Sequence, residues 1–262
     1  MEAIYHGVLH ALGQQQPPAV KAIHIARNNL DANPSAKFGA VELTDGTIGL
    51  TYTKLGDALD QLQDASRYQH YCQQPITELA KLYLSNEPWQ QVLGSGALNA
   101  LSQWLLQQQE FQYPDAVDTL ELLKIEAGDR VGMVGYFPPL VKTLTEQGTP
   151  VTVIELKPEL AREDGPLKVT MDPSELQHCQ KILITGTTVI NHTLSSLLPH
   201  CRQAAQVALI GPSVGLLPQV LFDLGLTAIG GRVILDGPRF LERWQQGEKW
   251  KGAAQRYSLA QR

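Results

Sequence analysis

Residues 181–193, KILITGTTVINHT, hold the pattern that decides the fold. An apolar run of Ile and Leu stops at Thr185-Gly186-Thr187, and a helical stretch follows at once. Residues 130–141, RVGMVGYFPPLV, and residues 206–218, QVALIGPSVGLLP, repeat the design. Apolar runs closed by Gly read as strands buried on both faces, as in a parallel sheet. Ligands of such sheets bind beyond the carboxyl ends of the strands, which is where these turns fall. The turns carry Gly backbone, Thr and Ser hydroxyls and an Asn amide, with no evident nucleophile–base pair. That combination suits a polar small-molecule site and leaves the reaction open.

Working outward, the segment from Tyr113 onward alternates strand and helix. Strands are expected near 130–134, 150–155, 181–184, 206–210 and 227–230, with a further apolar run at 232–235. Helices are expected to begin near Pro138, Pro158, Pro173, Thr188 and Pro218, and the last to run from Pro238 to Gln246. Such alternation implies a Rossmann-like, doubly wound α/β sheet. The Lys/Arg-richer tail from Arg239 to Arg262 reads as a solvated helix.

The first 86 residues differ. Ile4, Val8, Leu9 and Leu12 recur at helical spacing and stop at Gly13. FGAVEL and TIGLTY flank Thr44-Asp45-Gly46, a hairpin signal because Asp-Gly tolerates the positive φ of a tight turn. Helical segments follow at 55–62 and 76–84, which makes a small α+β unit. A longer helix is expected from Pro88 to Gln109, with Pro88 in its first turn. Its Gly94-Ser95-Gly96 costs helix stability, about 1 kcal/mol per Gly. Either another backbone packs closely there or a ligand lies beside it. The domain junction is placed at this helix, giving an N-terminal domain of 1–96 and a C-terminal domain of 97–262.

Composition narrows the function classes. Hydrophobic residues make up 43% and charged residues 18% of 262, as in an ordinary globular protein. A net charge of −5 and a pI near 5.8 argue against a nucleic-acid partner. No apolar run approaches the roughly 20 residues of a membrane span, and the N-terminus has no signal-peptide pattern. Three widely spaced cysteines, Cys72, Cys179 and Cys201, fit a reduced cytoplasmic compartment. A homo-oligomer is compatible with all of this.

In the first turn Gly135 lets the chain bend sharply, ahead of Tyr136, Phe137 and Pro138. Glu155 ends the next strand, where nucleotide-binding sheets place a carboxylate against ribose hydroxyls. The full glycine fingerprint is missing, so no tight NAD binding is expected. In the second turn Thr185, Gly186, Thr187, Thr188 and Asn191 present hydroxyls, an amide and backbone N–H groups to a phosphate, carboxylate or ring carbonyl. Helix capping by Thr187 or Thr188 is the plainer account of one hydroxyl. His192 is a candidate acid, base or ligand. In the third turn Gly211, Pro212 and Ser213 close the strand, and Ser213 lacks the context of a nucleophilic serine. No spacing of His, Cys, Asp or Glu supplies a self-sufficient metal site.

At these turns the chain resembles the family labelled "putative heavy-metal chelation", over nearly its whole length. Residues 38–53 (FGAVELTDGTIGLTYT) and 89–101 (WQQVLGSGALNAL) resemble its N-terminal hairpin and junction helix. Residues 131–141, 184–194 and 210–218 resemble its three C-terminal motifs. The resemblance implies an enolase N-terminal-like domain joined to a Rossmann-like domain, with the active-site cleft between them. It implies condensation or hydrolysis of a flavin-, pterin- or siderophore-like, metal-chelating compound. Gly135, Tyr136, Phe137, Thr185, Gly186, Thr187, Thr188, Asn191, Gly211, Pro212 and Ser213 would meet the ligand, with Asn99 reaching in from the junction helix. His192 stands where a smaller residue is expected. A non-catalytic protein holding a metal complex or metallophore and a methyltransferase-like enzyme using S-adenosylmethionine are the rival readings.

Overall fold

The structure, a computed structural model, describes residues 2–27 and 34–261. It opens with helix α1 (Glu2–Leu12) and an antiparallel sheet of β1 (Val20–His24), β2 (Phe38–Leu43) and β3 (Ile48–Tyr52). Gly46 turns the β2–β3 hairpin at φ +91°, and Asp45 accepts the Thr47 N–H at 3.0 Å. Short helices α2 (Ala58–Gln61) and α3 (Ile76–Ala80) lead to α4 (Pro88–Gln108).

Helix α4 is buried at every residue from Gln91 to Leu106. Its glycines explain how it fits. A Cβ on Gly94 would stand 2.0 Å from the Tyr83 backbone nitrogen, and one on Gly96 2.9 Å from Val41 Cγ2. On the facing strand, a Cβ on Gly49 would stand 2.1 Å from the Ala100 nitrogen. Close packing of backbone on backbone is therefore the reason for the Gly-Ser-Gly. Each helical Gly costs about 1 kcal/mol, whereas each fully buried Leu or Val returns about 1.5–3 kcal/mol. Val92, Leu93, Leu98 and Leu101 are all fully buried, so the exchange favours the helix.

The second unit begins at α5 (Thr119–Leu123) and continues through β4 (Val131–Val134), α6 (Pro138–Glu146) and β5 (Val151–Ile154). A hairpin of β6 (Arg162–Asp164) and β7 (Leu167–Thr170) comes next, then β8 (Lys181–Thr185), α7 (Thr187–Ile190) and α8 (Leu194–Leu197). The chain ends with β9 (Gln206–Ile210), α9 (Pro218–Phe222), β10 (Ala228–Ile234), α10 (Gly237–Gln245) and β11 (Ala254–Ala260). The sheet order is β11-β10-β9-β8-β4-β5-β7-β6. The six strands from β7 to β10 pair in parallel, in the 3-2-1-4-5-6 order of a doubly wound nucleotide-binding sheet. β6 and β11 add an antiparallel strand at either edge.

Side chains alternate across this sheet. Met133, Val153, Leu183 and Ala208 point to the face covered by α5 and α6. Val134, Ile154, Ile182, Ile184 and Leu209 join one continuous core with α4, α9 and α1. The N-terminal sheet has its own far side, where Phe38, Ile48 and Leu50 pack on Phe240, Trp244 and Trp250. The two units are thus clasped from both ends of the chain, and α4 runs unbroken through residue 96.

Several local expectations are corrected. Pro158 and Pro173 open single 3-10 stretches (Pro158–Leu160 and Pro173–His178), because the β6–β7 hairpin between them carries the chain to the sheet. The runs at 227–230 and 232–235 form one strand, β10. The basic tail is only in its first part helical, as α10. It then returns as β11, whose alternating Gln255, Tyr257 and Leu259 suit an edge strand. Arg262 lies outside the described residues.

The contacts at Gly94 and Gly49 are with backbone, which cannot swing aside. Gly94→Ala and Gly49→Ala are each expected to cost about 3 kcal/mol or more, beyond ordinary overpacking. Gly46→Ala, with open space around it, should cost only the strain of its positive φ, about 1 kcal/mol. Urea unfolding of the three variants checks the order; equal losses would count against the packing account.

Candidate functional site

The sheet order brings the three turns together at the carboxyl edge. Gly135 adopts φ +89°, and a Cβ there would stand 3.1 Å from Thr185 Cγ2. The Gly186 N–H donates to the Ile210 carbonyl at 2.7 Å, and a Cβ on Gly186 would lie 2.6 Å from Val214 Cγ2 and 3.4 Å from Ser213 Oγ. The Gly211 N–H donates to the Gly230 carbonyl at 3.0 Å. The turns after β4, β8 and β9 therefore form one continuous rim that reaches β10.

Side chains on the rim are partly committed to each other. Glu155 accepts the Tyr136 N–H at 2.7 Å, so this carboxylate holds the first turn. Arg162 donates to the Tyr136 hydroxyl at 3.0 Å and lies 5.6 Å over its ring. Phe137 packs into the core below α6. The hydroxyls of Thr185 and Thr187 are 3.2 Å apart, both half-buried. Thr188 is buried and donates back to the Thr185 carbonyl at 2.8 Å. Asn191 accepts the Thr193 N–H at 3.2 Å and its hydroxyl at 2.8 Å. Ser213 is buried, and its hydroxyl has no hydrogen-bond partner among the described residues.

The N-terminal unit grips two of the turns through a polar stripe on α4. Gln91, Ser95, Asn99 and Gln103 recur every fourth residue and are all buried. Asn99 donates both amide hydrogens, to the carbonyls of Leu50 (2.7 Å) and Ser213 (2.8 Å), and accepts the Gly215 N–H at 3.2 Å. Gln103 donates to the Gly215 carbonyl at 2.7 Å and accepts the Tyr113 hydroxyl at 2.8 Å. At the second turn, Tyr83 donates to the Val189 carbonyl at 2.9 Å. His192, at φ +64°, packs edge-on to the Tyr83 ring with its Nδ1 3.3 Å from Gln91 Nε2. Its Nε2 is buried without a partner among the described residues. The stripe was visible in the sequence as an i, i+4 pattern; of its members, the sequence reading singled out Asn99.

Two residues that the sequence reading passed over stand beyond the rim. β10 runs past the last residue it pairs with β9, Gly230, and carries Arg232 beyond the edge, where Arg256 of β11 stands directly opposite. Both line a cavity of about 210 Å³ together with Gly211 and Pro212. A second cavity of about 530 Å³ shares Pro212, Arg232 and Arg256 and extends to Lys37 and Phe38 of the N-terminal unit. The Arg232 guanidinium lies 5.0 Å over the Trp250 ring. Burial, then the neighbouring Arg256, lowers its pKa.

Among the described residues no three His, Cys, Asp or Glu side chains are grouped to hold a metal ion. The three cysteines are free. Burial pushes the Cys179 thiol up to about 11 and Cys201 up to about 12, which keeps both protonated near neutrality. No helix among the described residues is long and apolar enough to cross a membrane.

Comparison with known proteins places this architecture. A family model described as "Putative heavy-metal chelation" (DUF364) matches residues 118–261, and a second with the same description (DUF4213) matches residues 31–102. The chain is 28% identical to the uncharacterized protein MJ0500 of Methanocaldococcus jannaschii over 175 residues, 65% of this chain. That match spans 66% of the relative's length. A crystal structure of a DUF364 protein with unknown function from Desulfitobacterium hafniense is similar at TM-score 0.73 and 21% identity, over 100% of this chain and 99% of that one. A second, from Pyrococcus horikoshii, gives TM-score 0.71 and 20% identity, over 99% and 98%.

Burial lowers the pKa of His192 from its ordinary 6.5. The unfolded chain therefore binds this proton more readily, and the stability that the neutral ring supports is present above pH 6.5 and lost as pH falls through the folded pKa. Asn accepts the left-handed backbone. Between about pH 8 and about pH 5.5, the melting temperature of His192→Asn should fall less than that of the parent. Parallel melting curves across that range would remove the buried-neutral assignment.

Proposed function

On the premise that this chain belongs to the "Putative heavy-metal chelation" family, we propose that it binds a small, metal-chelating molecule at the carboxyl edge, between its two units. The observation that carries this reading is the continuous rim of Gly135, Thr185, Gly186, Gly211 and Ser213, with the N-terminal unit closed over it through Asn99. Thr187, Asn191 and the Ser213 hydroxyl supply donors and acceptors to a heterocycle or carboxylate. Gly135, Gly186 and Gly211 let the three turns close on one another, which brings these groups together. Asn99, Thr188 and Glu155 position the turns through their own hydrogen bonds.

Metal enters this reading as part of the ligand. The donor set does not fit a resident ion: burial keeps the Cys179 and Cys201 thiols protonated, and among the described residues a carboxylate meets a histidine only as the lone His24–Glu42 pair, with no third donor grouped beside it. Binding is the portion of the family's implied activity that the geometry supports best. Condensation or hydrolysis would need a general base beside Ser213, and none stands there. His192 Nδ1 faces Gln91, and its Nε2 is buried. The nucleoside reading draws no support from Glu155, which the first turn occupies.

Native mass spectrometry with metal analysis of the purified full chain is the test. A retained heterocyclic or polycarboxylate molecule is expected, with any metal leaving when the molecule leaves. Thr187→Ala should weaken its rebinding by about 1–3 kcal/mol with the melting temperature unchanged. Zinc titrated into ligand-free protein should bind no better than exposed histidines allow. Submicromolar one-to-one zinc uptake would show that a protein metal site had been overlooked.

A further inference from the structure

We propose that the Arg232–Arg256 pair is a receptor for a multiply charged oxyanion, a phosphate ester or a polycarboxylate, seated in the cavity above the Gly211-Pro212 turn. This goes beyond the reading of the rim, since the pair stands on the paired strands β10 and β11 and binds its anion whether or not the 185–187 turn holds anything.

Three observations carry it. First, the two arginines are register partners on adjacent antiparallel strands, with like charges directly opposite, an arrangement that destabilises a sheet unless something lies between them. Among the described residues neither guanidinium has an ion pair or a side-chain hydrogen bond, although Arg232 is half-buried. Asp115, bridged to Tyr257 of β11, is engaged by Gln255 at 3.2 Å. Second, the pair lines two adjoining cavities whose walls add Lys37, Lys249 and Lys251 and no carboxylate. The chain carries a net charge of −5, so this concentration of cations without an ion pair among the described residues runs against its average. Third, the site is held in place. Trp250 is buried and stacks under the Arg232 guanidinium, and the Gly231–Tyr257 pair pins the two strands through the Tyr257 hydroxyl, which donates to the Val214 carbonyl at 2.8 Å. Two planar forks, five donors each, match the oxygens of a phosphate or carboxylate in bidentate fashion.

The test is calorimetry on the full chain at low ionic strength with two probes, sodium pyrophosphate and sodium citrate. One of them should bind one-to-one. A pyrophosphate response assigns the phosphate-ester class, and a citrate response the polycarboxylate class. Arg256→Gln, an exposed position, should weaken that binding by roughly tenfold or more, with Arg256→Lys intermediate because a point charge replaces the fork. Thr187→Ala should leave it unchanged, which separates this site from the rim. In anion-free buffer Arg256→Gln should also melt above the parent, because the repulsion is relieved. The proposal is overturned if neither probe binds, or if Arg256→Gln binds as well as the parent. It is likewise overturned if sodium chloride at matched ionic strength abolishes the parent's binding.

Discussion

The constraint on which this structure depends is the burial of α4 on all sides. A helix with no exposed face must satisfy its polar side chains internally and make room for its neighbours without side chains of its own. Gly94 and Gly96 make that room against Tyr83 and Val41, while Gly49 does so from the strand side. Gln91, Asn99 and Gln103 satisfy their amides on the turns after β8 and β9, while the Ser102 hydroxyl is buried without a partner among the described residues. The same helix thus joins two hydrophobic units and fixes the geometry of the sheet's working edge. A change that moved α4 by a fraction of an ångström would be felt at Ser213 and Gly215.

That coupling bears on function. Turns at the carboxyl ends of parallel strands are commonly the mobile part of a doubly wound sheet, and they carry binding residues because they are free to vary. Here the second and third turns are tied to a separate unit by buried hydrogen bonds to backbone. An unmade bond of that kind costs roughly 1–3 kcal/mol. The rim is therefore preorganised, and a ligand meeting it pays little for ordering. The first turn is held differently, from within its own unit, by Glu155 on the Tyr136 N–H and by Arg162 on the Tyr136 side chain.

How much of this was legible in the sequence follows from where each signal lives. The parallel strands announced themselves, since residues buried on both faces leave an unbroken apolar run. The β2–β3 hairpin showed through Asp45-Gly46, a local turn chemistry. β11 was not legible, because AQRYSLA alternates polar and apolar residues within a basic tail, and an edge strand with one wet face looks like a solvated segment. The β6–β7 hairpin was hidden for a similar reason: Arg162, Glu163 and Asp164 are all exposed. At the site, glycines and hydroxyls within a turn are linear motifs and can be read off. The Arg232–Arg256 pair is a register contact across 24 residues, created only when β11 returns to the sheet. No local pattern encodes it.

The charge arrangement also separates two kinds of cargo that the family description leaves together. Low-dielectric walls focus the field of clustered charges, so a cleft lined by one sign concentrates ligands of the other. Lys37, Arg232, Lys249, Lys251 and Arg256 face the adjoining cavities with no carboxylate among the lining residues. A bare divalent cation approaching that mouth meets repulsion and, once inside, finds no grouped His, Cys, Asp or Glu among the described residues. A metal already wrapped by a polyanionic chelator carries net negative charge and meets attraction. On the proposed reading, such a field favours the complex over the ion before any contact is made. Because surface electrostatics are screened within about 8 Å at physiological salt, this selection acts at the cleft itself and owes nothing to the chain's overall negative charge.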